Sequence, residues 1–239
     1  VRSFVPVVPS FDPADVPDVR KLSAVVVTEN GHELDVDELG RVLVRFPFNH
    51  DEAQLQSFGA TTHLYNSARV RVMQSSAHSA YGDTMWPRDG TEVIVDFLQG
   101  HPDKPLVIGC AYNGEHEPAR YAGRGALPAN APLTGLRTKE IAGERFNHLR
   151  FSDFTGQIGS QLATDHASTQ LNQGWLGTPH DDGKSDPRGE GFELITDASG
   201  AIRAARALLI SAFGRLQANG QQLDRQEMLA VMQECSGLF

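Results

Sequence analysis

The sequence predicts a mainly β protein, in which a small antiparallel barrel is followed by an extended β region and a short C-terminal helix. Three observations predict it. Short runs with period-two alternation recur between Leu22 and Tyr112, divided by turn residues; about five strands within about 90 residues, with no helix between them, form the pattern of a small barrel. Beyond Asn113 glycines, prolines and short polar stretches continue through Gly143 without helical periodicity. Helix-start signals and an apolar stripe come together only near the end, from Leu223 to Gly237.

Taken in order, residues 1–21 read as a linker, because Pro6, Pro9, Pro13 and Pro17 fix φ and remove donors. The start Val1-Arg2-Ser3-Phe4 has no Met, basic n-region or apolar h-region, so the chain is expected to begin inside a longer protein. Residues 22–115 make the barrel. Leu22 to Thr28 is a β-branched run, and Glu29-Asn30-Gly31-His32 supplies an Asn-Gly hairpin turn. In the next runs Val42, Val44 and Phe46 alternate with Arg41, Leu43 and Arg45, and Val70 and Val72 with Arg69 and Arg71. Glu92 to Leu98 and Leu106 to Tyr112 follow, separated by the turn Gly100-His101-Pro102-Asp103-Lys104-Pro105. Alternation assigns Val42, Val44, Phe46, Val70, Val72, Val93, Val95, Phe97, Leu106 and Ile108 to one core.

Residues 116–146 read as a loop-rich connector, and 147–213 as an extended β region that opens with a strand and turn in Asn147 to Gly156. Ser160 to Asn172 is mixed and polar, and His180 to Gly191 reads as a charged, Gly-rich loop. In Gly191 to Ala212, helix formers between Ala201 and Phe213 compete with a strand at Gly191 to Thr196; the reading favours a β-hairpin. Residues 214–239 hold the helix, with Asp224 and Glu227 as a capping box, Leu223 and Met228 as a staple, and Gly237 as the residue after its end. Met228, Val231, Met232 and Cys235 form its apolar stripe.

The balance of 30 acidic against 21 basic residues gives a formal charge of -9, which disfavours a phosphate-backbone binder. Two cysteines are too few for a disulfide scaffold, so Cys110 and Cys235 read as small buried hydrophobes in a reducing compartment. No apolar run approaches the roughly 20 residues that span a bilayer. Catalytic constellations are missing too: there is no Gly-x-Ser-x-Gly elbow, no His-Glu-x-x-His and no paired Cys-x-x-Cys. Glu115-His116-Glu117 and the loop Asp181 to Asp186 read as solvated charge, the latter lacking the order of an EF-hand. The reading is therefore not an enzyme, with no catalytic residue, cofactor or metal. Two alternatives stay open: an OB-type oligosaccharide or nucleic-acid binding module, with Tyr81 and Trp86 as its aromatics, and a hydrolase in the last stretch of the chain.

The ordered set Arg41-Val42-x-Val44-x-Phe46, Arg69-Val70-Arg71-Val72, Pro87-Arg88-x-Gly90-x-Glu92-Val93-x-Val95-x-Phe97, Gly100-x-Pro102 and Tyr112-Asn113 resembles the OB-fold domain of VgrG, the spike protein of bacterial type VI secretion systems. The phage baseplate hub and spike proteins belong to the same wider family. Asn147-His148-Leu149-Arg150-Phe151-Ser152-Asp153 resembles the stretch that opens the β-helical needle of that family. The family usually carries a Trp where Ala68-Arg69-Val70 stands and a Gly-x-Gly in place of Ser79 to Gly82. The resemblance implies an OB-type barrel leading into a β-prism, and a homotrimer seated on the Hcp tube. It further implies a PAAR-type tip, effector or adaptor proteins as partners, no nucleic acid and no stable membrane insertion. Such a spike is assembled in the bacterial cytoplasm and then injected into a target cell. A lone strand at Leu149-Arg150-Phe151 has too few neighbours, so Leu149 and Phe151 are expected to meet their symmetry mates on the trimer axis.

Overall fold

The computed structural model describes residues 18–49, 67–122, 124–214 and 220–237. The linker expected at 1–21 falls almost wholly outside these residues. Among the described residues seven strands occupy the first half: β1 (Leu22–Val27), β2 (Arg41–Arg45), β3 (Ala68–Val72), the short hairpin β4 (Ala77–His78) and β5 (Tyr81–Gly82), then β6 (Glu92–Phe97) and β7 (Pro105–Ala111). Five of them close a barrel in the order β1-β2-β3-β7-β6. Closure requires β1 to pair with both β2 and β6, and β3 to run parallel to β7 through Arg71–Leu106 and Val72–Val107. The barrel is thus not wholly antiparallel, which corrects the expectation of an antiparallel barrel drawn from the sequence. The Asn-Gly hairpin is also absent: Glu29–Gly31 forms one 3-10 turn, and β1 pairs with β2 across the following loop.

Ala24, Val26, Val42, Val44, Val70, Val93, Val95, Phe97 and Val107 form the core, with Leu22, Phe46 and Val72 packed against it. Short β-branched chains suit so narrow a space, since they fill a pleated surface with little rotamer freedom to lose. Phe46 stacks on Phe97 at 6.2 Å and closes one end. Two expected core residues are out of place: Leu106 and Ile108 flank the inward residue, which is Val107. The reason lies in pairing. Val95 sits opposite Val107 and Asp96 opposite Leu106, while a bulge between Ile94 and Val95 leaves Ile108 as the extra residue. Leu106, Val107 and Ile108 are all apolar, so their own order cannot set the phase; the partner strand does.

The second half is a five-stranded antiparallel meander in which each strand pairs with the next: β8 (Leu133–Lys139), β9 (Phe146–Ser152), β10 (Gly159–Thr164), β11 (Thr169–Gly177) and β12 (Pro187–Ile195). This corrects several expectations. The connector 116–146 contains β8, and the charged loop at 180–191 runs into β12, whereas β10 and β11 fall within the extended β region expected at 147–213. The hairpin expected in Gly191 to Ala212 has only its first arm; residues 201–214 adopt neither strand nor helix, and β12 pairs back onto β11. Polar strands escape a hydrophobic pattern because cross-strand side-chain pairs hold them.

The C-terminal helix α1 (Gln226–Ser236) lies where it was expected, and the Asp224 carboxylate accepts the Gln226 N–H at 3.0 Å. Gly237 receives no left-handed turn; its φ is -81°, and its N–H bonds to the Gln233 and Glu234 carbonyls. None of the helix is buried, and Met228, Val231 and Met232 of its apolar stripe stand exposed.

The placement of β7 predicts an asymmetry. Val107→Ala should lower stability by about 2 kcal/mol and Phe97→Ala by about 3–5 kcal/mol, whereas Ile108→Ala should cost under about 1 kcal/mol. Urea midpoints of the three variants check this; equal losses at 107 and 108 would place the bulge elsewhere.

Candidate functional site

The residues that carried the family resemblance build turns. Asp37 closes the Asp37-Glu38-Leu39-Gly40-Arg41 turn: one carboxylate oxygen accepts the N–H groups of Leu39 and Arg41, and the other accepts Arg41 Nε at 2.7 Å. Those bonds, the Arg41 N–H first, hold its pKa below the ordinary carboxylate range. Gly40 has φ +69°, and a Cβ there would come within 2.7 Å of the Trp86 ring, so the indole lies on a glycine. Pro87 is buried beside it. Gly100 likewise has a positive φ and admits the Asp18 carboxylate, where any side chain would collide. Pro102 occupies a turn closed by the Lys104 N–H on the His101 carbonyl. Glu92 accepts bonds from Ser23 and from the Asn113 side chain, and Asn113 in turn accepts the N–H groups of Glu115 and His116. Gly90 donates to the Val26 carbonyl, and Tyr112 stands exposed.

Arg88 has a longer reach. Its guanidinium bonds Glu33 at 2.6 Å and donates to the Lys139 carbonyl, so a barrel turn holds the end of β8. Glu33 completes the clamp by accepting Lys139 Nζ at 3.2 Å and the Ala142 N–H at 2.7 Å. Ala142 needs that bond, because it sits in the left-handed region at φ 53°, where a non-glycine residue is strained. The Ala142 N–H above all, with Arg88 and Lys139, pulls the Glu33 carboxyl down to about 2 from 4.5. Sequence reading found Arg88 but missed Glu33, whose partners lie in another part of the fold.

The sheet that this clamp positions has two unlike faces. On one, a single register row runs Leu136–Leu149–Leu162–Leu171–Leu194 across all five strands. The next row contains Thr134, Phe151, Ser160, Gln173 and Phe192. In one chain this face is bare: Leu162 is 59% exposed, Leu194 63% and Phe192 77%, and Leu149 and Phe151 stand on it beside them. A contiguous apolar patch of this kind on one chain marks a contact surface. The opposite face is polar. His148 bonds Gln161 at 2.8 Å, Gln161 donates to Asn172, Asn172 to Glu193, and Arg188 closes on Glu193.

Neither cysteine is the buried hydrophobe expected: both are exposed, Cys110 at the end of β7 beyond the bulge and Cys235 on the uncovered helix. Partial shielding still raises the Cys110 thiol pKa. Tyr81 stacks on His78 within its hairpin, and Trp86 rests on Gly40, so the two aromatics do not form one platform. Among the described residues no cluster of His, Cys, Asp or Glu could hold a metal ion, and no helix is long and apolar enough to cross a membrane.

A closed five-stranded barrel in the order 1-2-3-5-4, with its third and fifth strands parallel, defines an OB domain, here followed by a meander that offers an apolar face. Comparison with known proteins agrees and goes further. Residues 23–112 match the family described as the type VI secretion system/phage-baseplate injector OB domain, and 139–239 match the type VI secretion system Rhs element Vgr. Over 214 residues, 88% of the chain, it is 39% identical to the type VI secretion system spike proteins VgrG2a and VgrG2b of Pseudomonas aeruginosa. It is also 38% identical over 144 residues to the spike protein VgrG3 of Vibrio cholerae, and 39% over 135 residues to a protein of that species named actin cross-linking toxin VgrG1. The chain belongs to the VgrG spike-protein family. It spans 23% and 19% of the lengths of VgrG2a and VgrG2b.

The clamp predicts a pH dependence of definite sign. A depressed carboxylate pKa stabilises the fold fully above the ordinary value of 4.5, and that contribution is lost as pH falls toward about 2. The Ala142 amide resonance should therefore titrate with a midpoint near 2, and should be flat in Glu33→Gln. A midpoint near 4.5 would show that Glu33 makes no such tie.

Proposed function

We propose that this chain is the OB-domain and needle-start segment of a structural spike in a contractile type VI secretion machine. The observation that carries the reading is the leucine row on β8 to β12: five strands align one apolar residue each, and Leu136, Leu149, Leu162 and Leu194 stand exposed in the single chain. Three copies meeting around an axis would bury three such rows together, Leu149 and Phe151 among them, and would protect the edge strands β8 and β12. The work is mechanical: a trimer that sits on the Hcp tube, carries a PAAR-type tip, punctures the target membrane and brings effector or adaptor proteins with it. It is assembled in the cytoplasm of the secreting bacterium and injected into the target cell. The segment acts without catalysis or cofactor, and a chain charge of -9 disfavours nucleic acid as a partner.

The reading predicts that the chain associates as a trimer through the leucine row. Leu162→Glu, at a position already exposed in one chain, should leave the circular dichroism spectrum intact and weaken association by about tenfold or more, since a charge would be buried without a partner. Leu39→Glu, on the barrel surface, should leave association unchanged. Light scattering across a concentration series decides it: a strictly monomeric chain with a protease-resistant second sheet would overturn the reading.

A further inference from the structure

The polar face of the second sheet is not flat. The segment around Tyr121 and the loop leading to His180 arch over it and enclose a cleft of about 530 Å³ lined by Tyr121, Arg137, His148, Arg150, Trp175 and His180, among others. Strand alternation places Arg137 on β8 and His148 and Arg150 on β9 on this face. The cleft is cationic in a chain whose net charge is -9. The arginines at its margin, Arg120 and Arg188, have acid partners in Glu117 and Glu193, whereas among the described residues no ion pair involves Arg137 or Arg150. Arg137 instead lies over the Phe146 ring at 3.7 Å and donates to the Arg120 carbonyl, and Arg150 donates one Nη1 bond, to the Tyr121 carbonyl at 3.1 Å.

Beside Arg150, buried polar atoms lack partners. His180 is 4% exposed and neither of its ring nitrogens has a hydrogen bond; its ring is held by stacking on Phe154 at 4.8 Å. His148 is 7% exposed, and while its Nε2 meets Gln161, its Nδ1 has no partner; nor has Arg150 Nε. Three orphaned histidine nitrogens beside one guanidinium whose own Nε also lacks a partner carry a cost, because buried polar groups without partners destabilise a fold. Burial, together with the charge of Arg150, depresses both histidine pKa values, so the three side chains feel one another. What satisfies such a set is an acceptor with several lone pairs and a negative charge.

We propose that this cleft is a binding site for a small oxyanion, a phosphate or carboxylate group seated against Arg150, His148 and His180. The guanidinium supplies the charge-assisted bonds, the one ring N–H of neutral His180 supplies a further donor, His148 adds another when the anion draws a proton onto its Nδ1, its Nε2 already donating to Gln161, and Tyr121 and Trp175 wall the space in which the remainder of the ligand would lie. The inference goes beyond the proposed assembly and concerns the polar face.

Calorimetric titration of the whole chain with inorganic phosphate and, separately, with acetate provides the test. Saturable binding at about millimolar concentration or below is expected for at least one of the two, and the tighter one identifies the group. Arg150→Gln should weaken it by about tenfold or more. His180→Phe, which keeps a ring to stack on Phe154, should also weaken it with the circular dichroism spectrum unchanged. Arg71→Gln, on the exposed side of β3, should bind as the wild type does. No saturable binding of either anion, binding undiminished in both cleft variants, or an equal loss in Arg71→Gln would overturn the proposal.

Discussion

Closure of the barrel through the parallel contact of β3 with β7 holds the first half of the molecule in place, because it fixes one strand against two partners that make different demands. Toward β3 the strand aligns Leu106 and Val107 with Arg71 and Val72; toward β6 it must seat Val107 opposite Val95 and still leave Val93 pointing inward. The bulge that leaves Ile108 unpaired reconciles the two. It also adds the local twist that a small closed barrel needs. With β6 and β7 set, the turns at their ends are set as well, and these turns carry Arg88, Gly100 and Asn113.

From that frame a short chain of charged contacts reaches the second sheet. Arg88 and Glu33 leave the barrel from separate loops and converge on the β8–β9 turn, where they hold Lys139 and the strained Ala142. The sheet is therefore attached at one end of its first two strands. Its other strands are supported by their neighbours and by the glutamine and asparagine network on the polar face, while the apolar face stands largely exposed. A sheet with one polar, internally bonded face and one bare leucine row has its usual amphipathic arrangement incomplete in the single chain. Burial of the row at about 25 cal/mol for each Å² of apolar surface is the driving force that the fold holds in reserve for assembly.

The sequence by itself determined the barrel, its valine core and its family. Val42, Val44, Val70, Val93 and Val95 alternate with charged or larger neighbours, and a half-buried strand of that kind announces its inward face. The same clarity applied to the Gly-Pro turns and to the terminal helix, whose signals are local. Leu149 and Phe151 could be named as partners on one face, since they are two residues apart in a legible strand.

Tertiary structure alone decided the rest, and in each case the cause was a partner distant in sequence. In Leu106-Val107-Ile108 every residue is apolar, and only Val95 on the facing strand selects Val107. β10, β11 and β12 carry Gln, Asn, Thr and Gly at positions where a pattern reader seeks alternation, so the leucine row is invisible until five strands bring Leu136, Leu149, Leu162, Leu171 and Leu194 into register. The clamp joins Glu33 to Ala142, and the cationic cleft joins Arg150 to His180; neither pair shares a motif. Periodicity reports which way a side chain points within its own element, but register and long-range charge are properties of two elements at once, and those the folded chain alone could fix.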